Sequence, residues 1–166
     1  MVSLSTDFSG ITDAQTVLIQ HWHACCDTGA LPSRDCLDPG EIRAHLSSIS
    51  IVQTAADGGT KFRLAGTNLR QIFGCEMRGR YLSELDQTTF EMWSLGLARA
   101  LDVRQPIGGL IKREQDSHAW LRLPLRANRS GALVMCHDTL IPNERLADRY
   151  NRQSRKIALD GRNLAA

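Results

Sequence analysis

Apolar residues in this chain change rhythm several times, and each change marks an element. Leu18, Trp22 and Cys25 or Cys26 recur at helical spacing behind Thr12 or Asp13, either of which can cap a helix, and Gly29 with Pro32 closes the run. The spacing predicts an N-terminal helix over residues 12–28. Asp38, Pro39 and Glu41 announce a second short helix, with Ile42 and Leu46 on one face. From Ile49 the period falls to two. Ile49–Thr54 and Thr60–Ala65 read as strands around Ala56-Asp57-Gly58-Gly59, a hairpin signal because Asp-Gly readily supplies positive φ.

Phe62 and Leu64 alternate with Lys61, Arg63 and Ala65, as in a half-buried strand, and Gly66 allows a sharp exit. Thr67 is placed to cap a short helix carrying Leu69, Ile72 and Phe73, which Gly74 ends. A longer helix is predicted over 88–101, with Phe90, Trp93, Leu97 and Leu101 on one face. Three strands follow, at 106–113, 119–127 and 132–140. In the middle one Leu121, Leu123 and Leu125 point one way and Trp120, Arg122, Pro124 and Arg126 the other, which predicts one buried and one wet face. Pro124 cannot donate to a ladder, so it belongs at a bulge or where its neighbouring strand has ended. Beyond Pro142 a helix carrying Leu146 and Tyr150 is expected to begin, and past about Arg152 the chain is polar and basic.

The order of elements gives an α+β fold, an antiparallel sheet with helices on one side. The segments 1–30, 31–141 and 142–166 read as a helical arm, a core and a basic, partly disordered tail. Composition adds little: 166 residues, 42% hydrophobic and 23% charged, describe an ordinary globular chain with no membrane-length apolar run and no basic, apolar leader. Five cysteines, an odd number without repeated spacing, point to reduced thiols in the cytoplasm. Charge is uneven. Residues 143–166 carry net +3, so the remainder of a +2 chain is close to neutral.

Trp22, the run Leu31-Pro32-Ser33-Arg34-Asp35, Pro39, the segment Phe62-Arg63-Leu64-Ala65-Gly66-Thr67, Phe73-Gly74, Gly79-Arg80 and Leu123-Pro124-Leu125 together resemble a PAS-like family common in alphaproteobacteria, often stand-alone. The resemblance runs from about Leu18 to Leu140. It implies a five-stranded antiparallel sheet whose concave face, with the helices, encloses a pocket or a packed core. It also implies dimerisation through the helix that precedes that core, with Leu18 and Trp22 at the interface. Ile51, Phe62, Leu64, Trp93, Leu123 and Met135 are the residues expected to line the concave face and meet any small ligand.

No catalytic or metal constellation stands out. His21, His23, Cys25, Cys26 and Cys36 lack paired ligand spacing and read better as packing and surface residues. A flavin photosensor of this type carries a cysteine where Gly79-Arg80-Tyr81-Leu82 stands, and Cys136-His137 lacks the haem attachment pattern. Gly108-Gly109 is no phosphate loop and marks a bulge or space for a ligand. Ser33, Asp35 and His45 form no nucleophile elbow, and Arg34 with Asp35 is expected to tie the arm to the core. No cofactor is named by these residues. The expectation is a non-enzymatic, cytoplasmic sensory or adaptor protein that signals in trans through protein contacts. Its alternatives are a nucleic-acid-binding regulator using the tail and a haem or metabolite sensor.

Overall fold

The computed structural model describes residues 8–149. The expected tail beyond Tyr150, and the nucleic-acid reading that rests on it, lie outside them. Thr12 caps the first helix, α1 (Asp13–Ala24), by accepting from the Gln15 amide. The expected second helix is instead two 3₁₀ turns, Arg34–Cys36 and Arg43–Ser48. Asp38 bonds the Gly40 amide in a local turn, and the helix start it would have capped shifts to Arg43. Strands β1 (Ile49–Thr54) and β2 (Thr60–Ala65) then form the expected hairpin. A five-residue helix, α2 (Leu69–Phe73), ends on Gly74 at φ 73°. Asp86 caps α3 (Gln87–Val103), and β3 (Ile107–Lys112), β4 (Asp116–Asn128) and β5 (Gly131–Pro142) complete a fully antiparallel sheet of order β2-β1-β5-β4-β3. Residues 143–149 are helical.

The sheet is covered on both faces. One face packs α2, α3 and the turn at Leu82–Glu84 around Phe62, Trp93, Val134 and Cys136. The other packs α1 and residues 31–42 around Leu121, Leu123, Leu125, Leu133 and Met135. The arm is therefore part of the core. Leu18 and Trp22, expected at a dimer interface, are 0% and 2% exposed within the chain itself. Their apolar stripe finds its partner surface in the chain's own β4, which corrects that expectation.

Backbone accounting explains why α1 docks there. β3 reaches β4 only as far as Arg122, so beyond it β4 has a bare edge. Trp22 Nε1–H donates to the Pro124 carbonyl at 2.8 Å, and the Arg126 amide donates to the Pro32 carbonyl at 2.9 Å. The N-terminal segment takes the place of the missing strand, and Pro124 sits where its neighbour has ended, as expected. Gly108 and Gly109 do not hold space for a ligand. A Cβ on Gly108 would overlap the Phe8 ring, and one on Gly109 would lie 3.0 Å from the Trp120 indole.

Gly66 and Gly96 make a contrasting pair. A Cβ on Gly66 would overlap the Ser47 carbonyl, whereas one on Gly96 would meet nothing closer than 3.6 Å. We expect Gly66→Ala to lower unfolding free energy by about 3 kcal/mol through overpacking against rigid backbone. Gly96→Ala should leave it unchanged or raise it by up to about 1 kcal/mol through helix propensity. Chemical denaturation of the two variants checks both signs.

Candidate functional site

Two one-residue irregularities decide which side chains share a face. In the β1/β2 hairpin Val52 pairs with Phe62 but Ile51 pairs with Leu64, so Arg63 is an extra residue and Leu64 crosses to the other side of the sheet. The six residues expected to line one surface are thereby split. Ile51, Leu64, Leu123 and Met135 belong to the α1 face, and only Phe62 and Trp93 to the α3 face. Simple alternation in β2 could not reveal this.

The α3 face carries what the expected wet side of β4 hid. Arg122 is 2% exposed and Asp138, across the β4/β5 ladder, is fully buried. Arg122 Nη1–H donates to Asp138 at 2.9 and 3.1 Å and to the Leu121 carbonyl at 2.9 Å, and Nη2–H donates to Asp138 at 3.1 Å. His118 Nε2 lies 2.7 Å from the same carboxylate. The guanidinium stacks 3.8 Å from the Trp93 ring centroid and 5.4 Å from that of Trp120. Trp93 packs in turn on Phe62 and Phe73 with centroids 5.2 and 5.4 Å away. In this interior the Arg122 and Asp138 charges are paired with each other. Burial alone would raise Asp138, but the Arg122 charge and the His118 bond outweigh it and hold the carboxyl below its usual range. Burial pushes the neighbouring Cys136 thiol up to about 12, so it stays protonated.

The α1 face carries an open groove. A groove of about 390 Å³ is floored by Leu37, Ile42, Ile49, Ile51, Leu64 and Met135, with Leu46, Pro39, Arg34 and Asp35 at its rim. Arg34 and Asp35 were expected to join arm and core. Both are instead exposed at this rim, and neither has an ion-pair partner among the described residues. Leu46 is 36% exposed beside them. Three of the expected ligand residues, Ile51, Leu64 and Met135, thus line an accessible surface on the α1 face. His21 Nδ1 pairs with Glu41 at 2.9 Å rather than joining the cysteines. No described group of three or more His, Cys, Asp or Glu residues is arranged to hold a metal ion.

Residues 12–94, half of the chain, match the model of a family described as PAS domain. The chain belongs to the PAS-domain family. Among solved structures, the PAS domain of the histidine kinase ThkA is similar, at 18% identity over 54% of this chain and 98% of that one, with a TM-score of 0.38. No curated protein matches the sequence. PAS domains are sensory and signalling modules. The match includes the Pro32–Asp35 run and the Arg63–Thr67 segment, and it ends within α3, so the Arg122–Asp138–His118 cluster lies outside the matched span. Among the described residues, no helix of this PAS domain is long and apolar enough to cross a membrane.

The buried pair generates a mutational prediction. Asp138→Asn leaves an uncompensated guanidinium inside the core and should cost about 3–5 kcal/mol, whereas Arg122→Met combined with Asp138→Leu should recover most of that loss. Urea unfolding of the single and double variants measures it. A second prediction concerns His137, which is buried on the α1 face edge-on to His45. Burial lowers its pKa to about 4, against an opposing pull from Asp138 and with His45 and Arg122 adding to the decrease. The unfolded chain binds that proton from about pH 6.5, so stability should fall by up to about 3 kcal/mol as pH drops from there to about 4. Loss of the Asp138 contribution follows at still lower pH, as its depressed carboxyl protonates. In His137→Asn the upper part of the stability–pH curve should flatten, and the lower part should remain.

Proposed function

We propose that this PAS domain is a non-enzymatic, cytoplasmic sensory or adaptor module that acts in trans by docking a segment of a partner protein in the groove on the α1 face. The observation that carries the reading is the make-up of the groove itself, an apolar floor beneath an exposed Leu46 and exposed charges of both signs. Beneath α3, Trp93 and Phe62 pack over the paired Arg122 and Asp138. The groove has an apolar floor open to solvent and charges of both signs at its rim.

Charge complementarity defines the occupant. Arg34 and Asp35 are adjacent, exposed at the rim and without an ion-pair partner among the described residues, which suits a partner segment that inserts apolar side chains between an acidic and a basic residue. Docking would bias how residues 31–48, which form both the rim and part of the α1-face core, sit on the sheet. That is a population shift driven by differential contact. Self-association through Leu18 and Trp22 forms no part of this reading, because both side chains are already buried.

A photo-crosslinking amino acid placed at Leu46, and separately at Leu95, tests it in living cells. Leu95 is 72% exposed on α3, remote from the groove. We expect a defined protein adduct from position 46 that is lost when Arg34→Glu is added, and none of that adduct from position 95. Equal labelling from both positions, or no adduct from position 46, contradicts groove docking.

A further inference from the structure

Two cysteines come together where α1 ends beside the 3₁₀ turn of the groove's rim. Cys25 caps the C-terminus of α1, and Cys36 closes the 3₁₀ turn that carries Arg34 and Asp35. The Cys25 thiol donates to the Cys36 carbonyl oxygen at 3.0 Å, joining positions eleven residues apart. The Ser33 hydroxyl donates to Cys36 Sγ at 3.4 Å. Cys26 turns the other way and donates to the Trp22 carbonyl at 3.4 Å, back along the helix. Cys36 is exposed and Cys25 partly buried, while Cys75 lies far along the chain beside Met77 and Cys136 is sealed inside the sheet.

We propose that Cys25 and Cys36 form a modification site, a thiol pair that a hydroperoxide oxidises to a disulfide, stapling the end of α1 to the rim turn. Cys36 is the attacking thiol: it is the exposed member, and the Ser33 hydroxyl donates to its sulfur. Its sulfur attacks the peroxide, an S–O bond forms, the O–O bond breaks, and the alcohol (or water) leaves, giving the sulfenic acid. Cys25 sulfur then attacks Cys36 sulfur, the S–S bond forms, and the sulfenic oxygen departs as water. Two thiols and one hydroperoxide become one disulfide, one alcohol and one water, with the thiols oxidised and the peroxide reduced. Cys25 suits the second role. Burial, then the proximity of Cys36 and of Glu41, raise its pKa, so it stays protonated until the sulfenic acid is beside it. Its sulfur already lies 3.0 Å from the Cys36 carbonyl oxygen, which places the two residues side by side.

The consequence for signalling rests on the groove reading; the bond itself does not. Full-length protein is treated with an equimolar organic hydroperoxide, unfolded, alkylated and digested without reductant, and the peptides are weighed. The dominant linked product should join the Cys25 and Cys36 peptides, with Cys75 and Cys136 alkylated, and Cys26→Ser should leave this unchanged. A dominant intermolecular bridge, a Cys25–Cys26 link, Cys36 driven on to sulfinic acid, or Cys25 and Cys36 both recovered alkylated would each overturn the proposal. Position-46 crosslinking of the reduced and bridged forms separates the two ideas. Failure of crosslinking in both forms, with the bridge present, counts against groove docking and leaves the thiol pair standing.

Discussion

A guanidinium buried beside a carboxylate constrains this molecule more tightly than any apolar contact. Taking two charges out of water costs several kcal/mol each, and the attraction between them compensates only when geometry is tight and every neighbour cooperates. Here Arg122 and Asp138 are both sealed beneath α3, and the cooperation is visible in the surroundings. His118 takes up an oxygen of the carboxylate, the Leu121 carbonyl accepts from Nη1, and two indoles flank the guanidinium plane. Gly109 lets the Trp120 indole fold over β3. Loosening any of these exposes charge to a medium that cannot solvate it.

That constraint divides the labour between the two faces of the sheet. The α3 face is committed to holding the pair and the aromatic cluster above it. The α1 face is covered by α1 over β4 and carries the groove, where the rim is a short 3₁₀ segment rather than a regular helix. Short 3₁₀ turns have poorer hydrogen-bond geometry than α-helix, so the rim is the part of the α1 face with least resistance to rearrangement. An apolar floor, a compliant rim and two exposed opposite charges sit together in one place.

Much of the fold was legible because local chemistry dictated it. The Thr12 cap, the Asp57-Gly58 turn, the Gly74 stop, the stripe of α3 and the bare edge around Pro124 were all written in residue type and spacing. What could not be read was register. An ideal hairpin at Asn128–Gly131 would set Asp138 opposite Leu121, on the wrong face for Arg122. The irregularity between Leu125 and Asn128 slips the pairing by one residue and sets Asp138 opposite Trp120 instead. The extra Arg63 does the same to Leu64. Both slips depend on contacts between distant segments, and each moved a polar or apolar side chain to the face that alternation denied it. The α1 stripe was read correctly as needing a partner, but only the three-dimensional edge of β4 reveals that the partner lies in the same chain.

The most direct test of this account is nitrogen-15 NMR of the Arg122 side chain in the native protein. A guanidinium locked between Trp93 and Trp120 and bonded to Asp138 should give separate, shifted Nη–H signals that exchange slowly with water and disappear in Arg122→Lys. A single averaged signal exchanging as fast as those of surface arginines would show that the pair is solvated, and the account of a closed α3 face would be wrong.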